Sequence, residues 1–299
     1  MWILLTFLHA FFMALVNYMD EYLTHNSPVL QTESIHKKVW GLILITMLFS
    51  IFTLGFFFVF IDDFSMSQRW VFISLFSAFP MWAMFASYFY LFQKYPAHQV
   101  VPLFGLSSVW LLVLELVSWV TVTFLPILGV LFLLFGAYIL DTRTLSWVIP
   151  TRLLFLMIPV SFLWAFSLFL ARIVSVSDSI SVFFIYQYVG IFFLGILLFL
   201  CVKPYREGFL QRVQKQGKVF VGGSIINEWF AQISFYSSML AVSLAPLATY
   251  VSAISSIQYI FLFLLFFFFP LHKRNSISLL QVFAISLMII GIGMIEVFQ

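Results

Sequence analysis

Ten apolar runs, divided by short stretches of charged, Pro, Asn and Ser residues, occupy almost the whole chain. They lie at about 2 to 23, 39 to 61, 70 to 92, 98 to 119, 122 to 140, 153 to 174, 180 to 202, 219 to 244, 248 to 269 and 278 to 297. A hydrocarbon core about 30 Å thick is crossed by about 20 helical residues, so each run suffices for one crossing. Strands of a barrel would instead alternate polar and apolar residues over about ten positions, and these runs do not. The sequence therefore predicts an all-α membrane protein with ten transmembrane helices. Of 299 residues, 64% are hydrophobic and 8% charged. Ten crossings use roughly 200 of them, which leaves no sizeable soluble domain. The weakest boundary is Ser118-Trp119-Val120-Thr121, inside an apolar stretch from Val100 to Leu140. A helix through it would be about twice the length one crossing needs, so a tight hairpin is expected there.

With ten spans, both termini and the loops after even-numbered helices share one side of the membrane. Of the 14 basic residues that side holds only Arg69 and Arg172. The other 12 are Lys37, Lys38, Lys94, Arg143, Arg152, Lys203, Arg206, Arg212, Lys215, Lys218, Lys273 and Arg274. Cytoplasmic loops carry the excess of Lys and Arg, so both termini are expected outside the cytoplasm. The basic stretch 203 to 218 is expected as a loop along the cytoplasmic leaflet. Trp2, Trp70, Trp119 and Trp147 fall near span ends, where indoles anchor at the interface. Met1-Trp2-Ile3-Leu4-Leu5 has no basic leader, so the first helix reads as retained.

The two parts of the chain echo each other. An offset of 148 places Gly105-Leu106-Ser107-Ser108-Val109 on Ala253-Ile254-Ser255-Ser256-Ile257 and Ala97 on Ala245. An offset of 155 places Gly136 on Gly291 and the run Leu125 to Ile139 on Leu280 to Met294. Shared order across several matches is the mark of an internal repeat. A unit of five crossings is odd, so its copy enters from the opposite face, giving inverted repeats over 1–145 and 146–299 within a single membrane domain.

These features resemble the EamA type of the drug/metabolite transporter superfamily. The resemblance rests on Tyr88 to Phe92, Pro96-Ala97, Val100-Val101-Pro102-Leu103 and Gly105-Leu106. The later counterparts are Tyr236 to Ala248 and Ser255-Ser256, together with the spaced glycines Gly129, Gly136 and Gly291. It implies ten helices in two halves and secondary transport of a small metabolite with no ATP site. Ser108 and Ser256 stand where that family commonly has proline, and the Gly-Glu pair closing the fourth and ninth helices is absent.

Ionisable groups inside a span are costly and usually face a cavity or a partner. Glu228 is the deepest acid, with Gln232 and Tyr236 following at i+4 and i+8 on one face. That face could form a substrate or proton site or a helix–helix contact. Asn17 should lie at similar depth and could donate to Glu228. His9 could shuttle protons, bind substrate or be a satisfied core histidine. Glu115 and Arg172, near the outer ends of their helices, could form an intramembrane ion pair acting as a latch. Ser107, Ser108, Ser255 and Ser256 suit packing at the repeat interface. Trp82, Trp110, Tyr88, Trp229, Tyr236, Gln258 and Tyr259 could line an aromatic, partly polar pocket.

No P-loop, dinucleotide fingerprint or HExxH motif occurs, and the single Cys201 forms neither an intrachain disulfide nor a Cys-based zinc site. Asp62-Asp63 reads as a solvated external turn. No enzyme activity, metal or cofactor is expected. The partners expected are a small-molecule substrate and the lipid bilayer, not nucleic acid. A secondary transporter working by alternating access, with proton coupling as one version, is the leading reading. A lipid or lipid-linked metabolite flippase and a transport-inactive scaffold are the alternatives: a central pocket sealed from lipid but open to water favours the transporter, a hydrophobic slot to lipid the flippase, and a filled core with no cavity the scaffold.

Overall fold

The computed structural model describes residues 1–25, 35–60, 64–95, 100–118, 124–142, 151–269 and 279–298. Among them the chain is almost wholly helical and contains no strand. The helices are α1 (Trp2–His25), α2 (Ile35–Phe60), α3 (Gln68–Phe76), α4 (Ala78–Lys94), α5 (Leu106–Val117), α6 (Phe124–Thr142), α7 (Thr151–Ser177), α8 (Ile180–Cys201), α9 (Lys203–Leu244), α10 (Ala248–Ile254), α11 (Gln258–Phe268) and α12 (Leu279–Phe298). Short 3₁₀ turns, Val101–Gly105 and Ser255–Ile257, precede α5 and α11. Six helical stretches among the described residues are long and apolar enough to cross a membrane, and three shorter apolar helices accompany them. Phe72, Phe155, Phe193 and Leu200 stand exposed on the outside, the surface that lipid would cover in a multi-pass membrane protein. Asp62-Asp63, Pro96-Ala97, Trp119 and Trp147 lie outside the described residues.

Residues 203 to 218 form the first part of α9, not a loop. The helix runs 42 residues, roughly 63 Å at 1.5 Å per residue, about twice the hydrocarbon thickness. A straight-chain-rich sequence with Pro204 in the first turn continues as helix without strain. It is held against α2 where a Cβ at Gly41 would stand 2.6 Å from the Gly208 carbonyl, while Trp40 and Tyr205 bring their rings to 4.7 Å.

Prolines set the interruptions. Pro80 lacks an amide hydrogen and crowds the carbonyl four residues back, which is where α3 gives way to α4 at Ser77. Ala245 is extended (φ −77°, ψ 152°), as a residue before proline prefers, and ends α9 ahead of Pro246.

The helices α6 and α12 also approach closely. A Cβ at Gly129 would lie 2.7 Å from the Gly291 carbonyl oxygen, and one at Gly291 would lie 2.6 Å from that of Gly129. Seven residues on, a Cβ at Gly136 would lie 2.8 Å from the Ala284 carbonyl oxygen. As positions rise along α6 they fall along α12, so the pair is antiparallel. Only glycine lets the backbones meet at this distance, as at other close helix crossings in membranes.

Candidate functional site

The core of the molecule is not filled. A central cavity of about 80 Å³, counted as space open to the centre of a water molecule, is walled by α1, α4, α7, α9 and the chain from Ser252 to Tyr259. One water needs roughly 10–15 Å³ on that measure, so the space admits several.

Glu228 lines it, and Gln232, one turn further along α9, donates from Nε2 to Glu228 Oε1 at 2.8 Å. The i+4 spacing places them together. Tyr236 is another turn away, about 12 Å along the axis from Glu228. Its hydroxyl instead meets Ser181 Oγ at 2.8 Å. Asn17 enters the same cavity but is held by Tyr88, whose hydroxyl is 2.9 Å from Asn17 Oδ1.

The residue missed in the sequence is Asp20. It is buried, lines the cavity, and accepts from Tyr88 Oη at 3.1 Å and from Asn227 Nδ2 at 2.8 Å. It lies near the end of the first apolar run, away from its centre. The signal was its i+3 spacing from Asn17, which puts both on one face, and the adjacency of Asn227 to Glu228.

His9 is buried and hydrogen-bonded to Ser234. Ser234 Oγ donates to the His9 carbonyl at 2.9 Å, so this hydroxyl faces the ring as an acceptor. Nδ1 lies 2.7 Å from that Oγ and 3.0 Å from the Ser234 carbonyl. Both neighbours accept, so Nδ1 carries the hydrogen. The neutral ring then has Nε2 as its acceptor, on a residue that lines the cavity.

Ser107 and Ser108 converge on Ser252, with Oγ–Oγ distances of 2.9 and 3.0 Å. Ser255 donates back to the Val251 carbonyl at 2.7 Å. This is packing between α5 and α10, yet Ser107, Ser255 and Ser256 also edge the cavity. Gln258 and Tyr259 line it, and Tyr259 donates to the Val101 carbonyl at 2.6 Å. The pocket expected from indoles is otherwise corrected. Trp110 packs edge-on against Phe162 at 5.4 Å, Trp82 faces Tyr205, and Trp229 is 47% exposed on the outer surface. Trp164 takes their place in the wall.

Glu115, which is buried, and Arg172, which is partly buried, hold one structural feature without forming a salt bridge, and the Arg172 charge reaches Glu115 only at a distance. Glu115 accepts from the backbone N–H of Ala248 at 2.6 Å, from that of Thr249 at 3.2 Å and from the Thr249 hydroxyl. Arg172 donates to the carbonyls of Val242 at 2.8 Å, Ser243 at 3.2 Å and Pro246 at 3.1 Å. The carboxylate thus caps the start of α10 and the guanidinium caps the end of α9, each at the helix pole of opposite charge. The Ala245-Pro246-Leu247 break is stapled from both sides.

No family model matches the sequence, and no curated protein does. Solved structures do match: 21 chains share the fold. A crystal structure of a protein superposes at TM-score 0.63 with 11% identity, over 97% of this chain and 96% of that one. The likeness is one of fold.

Proposed function

We propose that this chain is a secondary transporter of a small metabolite, of the EamA type, in which ten spans form two inverted five-helix halves around a central site. The observation that carries the reading is the buried cavity holding Glu228, walled by residues from before and after position 146. A scaffold with a packed core would lack it. Paired carboxylates in its wall suit a hydrophilic solute better than an acyl chain, which favours a transporter over a flippase.

The contacts of α6 and α12 support the inverted halves. Adding 155 to Gly129 gives Ala284, and subtracting 155 from Gly291 gives Gly136. The Gly129–Gly291 contact therefore maps onto the Gly136–Ala284 contact with the partners exchanged. Such reciprocity is what a twofold interface would give, and in this reading the axis relating the antiparallel helices runs across the bundle, in the membrane plane. Both termini and Asp62-Asp63 face away from the cytoplasm in this reading, because 12 of 14 basic residues lie on the other side.

Cys201 is the one cysteine in the chain, so Cys201→Ser provides a background for single-cysteine probes. A cysteine at Ser238, in the cavity wall, is expected to react with an impermeant thiol reagent from either face of oriented vesicles. Proteoliposomes are expected to show saturable counterflow for at least one small metabolite in a broad panel. Absence of counterflow, with the cavity cysteine unreactive from both faces, would refute the proposal. A cysteine near the amino terminus should label from outside intact cells; labelling of the 203 to 218 segment from outside would reverse the orientation.

A further inference from the structure

The polar chemistry of the cavity is one-sided. Asp20 and Glu228 supply carboxylates, and no Lys or Arg is among the described residues that line it. Tyr88 Oη reaches both Asp20 and Asn17, but a phenol has one hydrogen to give. Asp20 Oδ2 and Asn17 Oδ1 both accept, and share that hydrogen. Asn17 Nδ2, on the other side of that amide, is buried without a partner. Asn227 gives its Nδ2 to Asp20 and keeps a buried, unpartnered Oδ1. Gln258 Oε1 is buried without a partner as well. Asn17 is 2% and Gln258 9% exposed, so bulk water does not serve them. The wall's serine hydroxyls can give or take a hydrogen, but its charged groups among the described residues are acids alone, and Asn227 Oδ1 and Gln258 Oε1 are acceptors left unmet.

We infer that the cavity binds a primary or secondary ammonium group carried on a compact apolar body. Asp20 and Glu228 balance its charge, the amide oxygens take its N–H groups, and the rings of Phe85, Phe104, Trp164 and Phe235 cover the rest. A quaternary ammonium has no N–H and leaves the acceptors unmet. A carboxylate or phosphate would meet two acids and no cation. The inference rests on the cavity being the substrate site proposed above.

The test uses purified full-length protein in detergent, with no gradient, and equilibrium binding of four probes of one shape: benzylamine, benzyl alcohol, benzoate and benzyltrimethylammonium. Benzylamine should bind saturably with a Kd at least tenfold below the other three. Asp20→Asn and Glu228→Gln should each weaken it about tenfold or more, the range for losing a charge-assisted hydrogen bond. Absence of saturable benzylamine binding overturns the inference, as does equal binding of benzoate or benzyl alcohol, or wild-type affinity in both variants. The probe series on the wild-type chain decides the matter even if a variant does not fold. Selective amine binding without flux in proteoliposomes would refute transport and leave this inference standing. Flux of another solute without amine binding would do the reverse.

Discussion

Removing the Glu115 carboxylate should destabilise the protein out of proportion to one side chain. The Glu115→Ala change strips acceptors from two backbone N–H groups at the start of α10 and from the Thr249 hydroxyl. Ala248 and Thr249 are both fully buried, so water does not replace the carboxylate. The hydroxyl can rotate to another acceptor, which leaves two orphaned backbone donors at about 1–3 kcal/mol each. A loss of about 4 kcal/mol follows, a large part of a typical total stability of about 5–15 kcal/mol. At about 2–4 °C per kcal/mol for a chain of this order of size, melting should fall by roughly 8–16 °C. Glu115→Gln keeps one acceptor oxygen but turns an amide NH₂ towards the second N–H, so its cost should be about half. Arg172 holds the carbonyl side of the same break. Once Glu115→Ala has loosened the break, adding Arg172→Met should cost less than it does alone. Detergent-to-SDS unfolding followed by tryptophan fluorescence measures all four species. A Glu115→Ala penalty under 1 kcal/mol, or strict additivity with Arg172→Met, would refute the capping account.

Further outcomes follow from the packing and the cavity. Gly291→Ala places a Cβ 2.6 Å from a backbone carbonyl of α6 and should cost about 1–3 kcal/mol through forced separation of the helices. Gly293→Ala, with open space around it, should be neutral in the same melt. His9→Leu leaves the Ser234 carbonyl and hydroxyl without the ring N–H and should cost about 1–2 kcal/mol, while His9→Asn should recover part of it. Glu228→Gln keeps the shape and the bond to Gln232 but cannot titrate; loss of pH-driven flux with substrate exchange retained is the expected result in proteoliposomes, and unchanged flux would make Glu228 a structural acid.

The helical class was legible in the sequence because it depends on local properties, whereas the continuation of α9 through 203 to 218 was not. An apolar run of about twenty residues has to satisfy its backbone internally wherever it lies, and helix does so within one segment. Proline at 246 marked a break for an equally local reason, whereas the break ahead of Pro80 fell inside a run read as one span from 70 to 92. Spacing along one helix was also readable, so Glu228 and Gln232 were found together. Contacts across helices were not. Whether Glu115 meets Arg172 or a helix end, and whether Trp110 or Trp164 turns inward, depends on rotations and crossings that no single run encodes. Asp20 shows the limit most clearly. Alone it reads as the polar end of a span; only the approach of Tyr88 from α4 and Asn227 from α9 makes it a buried wall residue, because a carboxylate is kept inside by donors that arrive from elsewhere in the chain.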